Sequence, residues 1–123
     1  MLTTNPTNLY REAGKLMRAI DLEVNRPEED AVVPFIGNSS RQCIEHFLTG
    51  FLYENGVEVP DSSGLDYLLN RCQHIDPRFM TVDPSSAPCL TASDNDSLDH
   101  ARKCYEVAQQ IQDLVQSNSA NRL

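Results

Sequence analysis

Arg11, Lys15 and Arg18 fall four and three residues apart, a spacing that gathers three cations in one narrow sector of a helix. Such a stripe can hold a phosphate or carboxylate, or face solvent and pair with acids such as Glu12. It is the ligand-binding candidate here because it is the only basic stripe in a chain of 123 residues with a net charge of −8. That balance excludes a general electrostatic footprint for nucleic acid, which needs a basic protein or a segregated basic face. Any RNA contact must be local.

Four cysteines are the other reactive groups. Cys43, Cys72 and Cys104 fall at apolar-phase positions of three predicted helices, as buried thiols do, so reduced cysteines in a cytoplasmic protein are expected. No CxxC pair occurs and the three histidines are scattered, so neither a metal nor a cofactor is expected. Cys89 sits in a loop without a basic neighbour to favour its thiolate. The chain has no Gly-rich phosphate loop, GxSxG elbow, HExxH helix or repeated carboxylate spacing. A further mixed stripe, Phe35, Gln42, His46, Thr49 and Tyr53, shares one sector of a helix. It reads as the margin of a core or as an interface.

Helices must position these groups. Leu9, Ala13, Leu16, Met17, Ile20 and Val24 predict a first helix over residues 8–25, capped by Thr7 or Asn8. Pro27 and the acids after it predict a second helix start, and Val33, Ile36, Cys43, Ile44, Phe47, Leu48, Phe51 and Leu52 keep phase to residue 54. We expect one helix kinked at Pro34 and ended by Asn55-Gly56. Leu65, Leu68, Leu69, Cys72 and Ile75 predict a shorter third helix. Residues 76–93 carry three prolines and no helical period, predicting a long loop, with Phe79, Met80, Val82 and Leu90 packing in part on the bundle. A last helix starts at about residues 94–97 and ends near 117.

These four helices suit an all-α, up-and-down four-helix bundle in a single domain, with residues 1–7 and 118–123 as frayed ends. The N-terminus lacks a signal pattern and no apolar run reaches the ~18 residues of a membrane span, so a soluble intracellular protein is expected. The last helix carries an apolar arc of roughly 200°, wider than one groove needs. This predicts a homodimer using Gln42, His46, Thr49, Tyr53 and Val107.

Gln42, Ile44-Glu45, Phe47-Leu48, Phe51-Leu52, Gly56-Val57, Pro60 and Leu65 to Leu69 form a core helix, a connector and a Leu-rich helix that together resemble the HEPN domain family. The resemblance covers about a third of the chain. It implies the same bundle, and a module that binds a nucleotide or RNA or works beside a nucleotidyltransferase. Family members often have lysine where this chain has His46 or Thr49, and histidine where it has Ser63. Enzymatic members resemble metal-independent endoribonucleases built on an arginine followed by a histidine near the last helix. Here only Arg41 and His46 have that spacing, and they lie in the second helix. Five helical positions turn by about 140°, which separates them. A non-catalytic binding module is the expectation, a protein-only helical scaffold the alternative, and an endoribonuclease using Arg41 and His46 a third.

Overall fold

The computed structural model describes residues 6–60, 64–82 and 98–120. Four α-helices follow one another: α1 Pro6–Val24, α2 Val33–Glu54, α3 Leu65–Ile75 and α4 Leu98–Ala120, with a short 3-10 helix Pro77–Thr81 after α3. No strand occurs among the described residues. The architecture is the expected all-α four-helix bundle.

The bundle is organised around α2. Ile36, Cys43, Ile44, Phe47, Leu48, Phe51 and Leu52 are all at most 1% exposed. Burying each of the large apolar side chains contributes roughly 1.5–3 kcal/mol. Against this face pack Ala13, Met17 and Ile20 of α1, Leu68, Leu69 and Cys72 of α3, and Ala101, Cys104, Ala108 and Ile111 of α4. The contacts of α1 and α4 are overwhelmingly with α2, and the two barely meet each other.

Pro34 starts α2 rather than kinking it. A helix running through from Pro27 would drive the Pro34 ring into the carbonyl of Asp30 and lose a hydrogen bond. Instead the chain turns, with the Asp30 N–H donating to the Pro27 carbonyl at 2.8 Å. The helix then begins at Val33, where the missing donor of Pro34 lies among first-turn groups that have no intrahelical partner. Glu23 holds this entry, accepting from the Val32 N–H at 2.8 Å. At the other end Gly56 takes φ +75°, the Gly56 N–H reaches the Tyr53 carbonyl and the Val57 N–H reaches the Leu52 carbonyl at 2.9 Å. That is the Schellman ending expected from Asn55-Gly56.

Other boundaries moved. α1 begins at Pro6, before the caps expected at Thr7 or Asn8, because proline is preset for a first helical turn. α4, Leu98–Ala120, continues past the end expected near 117, since no glycine or proline interrupts that stretch, while its expected start at residues 94–97 lies outside the described residues. The expected loop opens as a 3-10 helix capped by Asp76, whose carboxylate accepts from the Arg78 N–H at 3.0 Å. Phe79 is fully buried there, with its ring centroid 4.9 Å from that of Phe51, while Met80 is 69% exposed. Val82 is buried, and Leu90 lies outside the described residues.

Cys104 corrects the cysteine reading. Cys43 and Cys72 are free and buried, as expected, but Cys104 is disulfide-bonded. Apolar phase identifies a buried cysteine; it carries no information about whether another sulfur reaches it. The broad apolar arc of α4 is accommodated within the single chain. Ala101, Cys104, Tyr105, Val107, Ala108, Ile111 and Val115 are buried, with Leu98 and Leu114 partly so. No described helix is long and apolar enough to cross a membrane.

A candidate ligand cleft between the first and last helices

Tyr10, Gly14, Met17 and Asp21 recur along α1 at steps of four, three and four, and so do Tyr105, Gln109, Gln112 and Gln116 along α4. Each set forms one stripe on its helix. The two stripes line opposite walls of a cleft of about 800 Å³, with Phe47 of α2 also lining it and Arg18, Leu22 and Val115 completing the walls. This is the size of a small-molecule site. The cleft exists because α1 and α4 are both held by α2 rather than by each other.

One bond spans it. Tyr105 Oη donates to Asp21 Oδ1 at 3.2 Å. This bond joins Asp21 of α1 to Tyr105 of α4, and between them the two helices contribute Gly14, Met17, Gln109, Gln112 and Gln116 to the lining. Gly14 lines the cleft, and a Cβ there would meet no atom within 4 Å. At the end nearest Glu54, Tyr10 is fixed from three sides. Its Oη donates to Glu54 Oε1 at 2.6 Å, its ring centroid lies 6.2 Å from that of Phe47, and its ring lies against Gly50.

Burial, and then the charge of Asp21 and the bond to it, push the Tyr105 hydroxyl up to about 12, so it stays a protonated donor at neutral pH. Asp21 is therefore engaged. Arg18 is exposed and makes no ion pair or hydrogen bond among the described residues. The lining offers one unengaged cation, two phenols and three carboxamides over Met17, Leu22, Phe47 and Val115. That combination can hold an amphipathic molecule. Cys43 and Cys72 do not add a nucleophile: burial pushes both thiols up to about 12, and they donate to the carbonyls of Ala13 and Leu48. No group of three or more potential metal ligands occurs among the described residues.

Of the basic stripe, only Arg18 lines the cleft; Lys15 and Arg11 are exposed along the same helix, outside it. Arg41 is exposed and His46 half-buried on α2, and neither lines the cleft. In the mixed stripe, Gln42 is exposed, Thr49 and Tyr53 are half-buried, Phe35 is 36% exposed, and Val107 of α4 is only 5% exposed. Sequence reasoning missed the two matched stripes. Their signal was present, in a glycine inside an amphipathic helix and in three glutamines sharing a face with Tyr105.

Compared with models of protein families, with curated proteins and with solved structures, the chain matched none. What fold and site define together is an all-α four-helix bundle with a ligand-sized opening between its first and last helices.

Proposed function

We propose that this chain is a non-catalytic helical binding module of the HEPN type and that its ligand lies between α1 and α4. The observation that carries this reading is the cleft of about 800 Å³, where Arg18 stands beside aromatic and carboxamide side chains. One further fact supports it: Arg41 and His46, which have the nuclease spacing, do not line the cleft. Nucleotides and short RNAs are the ligands the HEPN resemblance implies. Lys15 and Arg11 continue the charge of Arg18 along the helix for a phosphate chain to follow.

A thermal-shift screen with adenosine and guanosine nucleotides and short RNAs at low salt tests the proposal. A ligand that binds only the folded state raises the melting temperature with concentration. The rise should shrink in Arg18→Gln, and the RNA should survive incubation with chelator intact. Metal-free cleavage lost in Arg41→Ala or His46→Ala would make it an endoribonuclease instead. No response to any small ligand or RNA would leave the protein-only scaffold.

The HEPN resemblance carries the remaining expectations, a homodimer through Gln42, His46, Thr49 and Tyr53, a cytoplasmic location and a nucleotidyltransferase partner; Val107, expected in that interface, is instead buried within the chain. The disulfide at Cys104 bears on the compartment, since such bridges form in oxidising surroundings. Alkylation of freshly lysed cells followed by non-reducing electrophoresis decides it.

A further inference from the structure

The charges of the cleft narrow the class of ligand. Two ionised groups line it, Arg18 and Asp21, and Asp21 already accepts from Tyr105 at 3.2 Å. Among the described residues Arg18 keeps no ion pair or hydrogen bond. A ligand with several charges, such as the nucleotides and RNA that the HEPN resemblance implies, would have Arg18 alone to meet inside the cleft, in a chain of net charge −8 that repels anions at longer range, so the charges of the cleft favour a singly charged ligand over that implied class. A neutral ligand would leave the guanidinium unused. The remaining lining is apolar or uncharged: Met17, Leu22, Phe47 and Val115, with the carboxamides of Gln109, Gln112 and Gln116 able to donate or accept. From position 10 to position 21 the α1 wall runs ~16 Å, long enough for a two-ring or medium-chain body.

We infer that the cleft binds an amphipathic monoanion, an apolar or aromatic body carrying one carboxylate or sulfonate, with the anion on Arg18 and the body over Gly14 and Phe47. Two features support the placement. Gly14 leaves open space where any other residue would project a side chain, and Arg18 lies one turn along the helix, beside that space. This assignment rests on the cleft being the ligand site.

The probes are 8-anilinonaphthalene-1-sulfonate and its uncharged counterpart N-phenyl-1-naphthylamine, titrated by fluorescence into the full chain. The sulfonate should bind saturably at one site per chain and more tightly than the neutral amine. Arg18→Gln should weaken the sulfonate on the order of tenfold, the size of one charge-assisted hydrogen bond, and leave the amine within about twofold. Gly14→Leu should weaken both by filling the cleft. Should that variant fail to fold, shifts of the Gln109, Gln112 and Gln116 side-chain amides in NMR spectra of the unmodified protein report the same occupancy. Equal binding of the two probes, or indifference of the sulfonate to Arg18→Gln, would overturn the monoanion and leave the cleft as a binding site. Binding that ignores Gly14→Leu and does not move the glutamine amides would overturn the cleft itself.

Discussion

Gly14 and Gly50 lie in neighbouring helices, yet replacing them should have opposite effects. A Cβ on Gly14 meets nothing within 4 Å, whereas one on Gly50 would stand 2.6 Å from the Tyr10 ring. Gly14→Ala should therefore raise unfolding stability by roughly 0.5–1 kcal/mol, from helix propensity alone. Gly50→Ala should lower it by about 1–3 kcal/mol, because Tyr10 must leave its place beside Glu54 and Phe47. Urea denaturation of the two variants checks both signs. Ser40 is a third such residue: its hydroxyl is fully buried with no hydrogen-bond partner in the structure. Ser40→Ala should be neutral or stabilising by up to ~1 kcal/mol in the same experiment, since the alanine leaves no polar group unpaired. The apolar phase of Cys43, Phe47 and Phe51 was legible in the sequence because each position answers only to its own helix. The openness above Gly14 was not, because it depends on how far α4 stands from α1.

Element boundaries divide in the same way. The end of α2 was readable from Asn55-Gly56, since a left-handed residue is a local requirement; Gly56→Ala should cost about 1–2 kcal/mol. The start of α2 was misjudged because Val33 and Ile36 keep phase across Pro34, and periodicity outweighed the ring clash. The 3-10 helix was unreadable for another reason: five residues are too few to display a period, and Phe79 is held by the distant Phe51. Its burial makes it an anchor for the chain after α3. Phe79→Ala should destabilise by roughly 3–5 kcal/mol in calorimetry. An effect below about 1 kcal/mol would mean the segment is only loosely attached.

For the molecule as a whole, the buried titratable groups make stability alkali-sensitive. Cys43 and Cys72 rise from an ordinary 9.0 to about 12, and Tyr105 from 10.0 to about 12. Each binds its proton more tightly when folded, so its contribution is intact below its unfolded value and lost as pH climbs toward 12. The urea midpoint should hold steady near neutrality and fall above roughly pH 9, less steeply in Cys72→Ala. A thiol reagent should reach neither Cys43 nor Cys72 in the native protein and both after unfolding, with Cys104 reacting only once a reductant opens its bridge. Light scattering over a range of concentrations, with Tyr53→Glu as probe, tests the homodimer; one chain mass throughout would rule it out. The four-helix plan was legible because each apolar stripe must be covered, but which helices meet and which stand apart was not. That last point governs motion. With α2 touching every other helix and α1 and α4 nearly strangers, either outer helix can lift away without dislodging the other. Hydrogen exchange should accordingly show two tiers: slow amides confined to α2, exchanging only on complete unfolding, and faster ones in α1 and α4 whose rates vary independently from variant to variant.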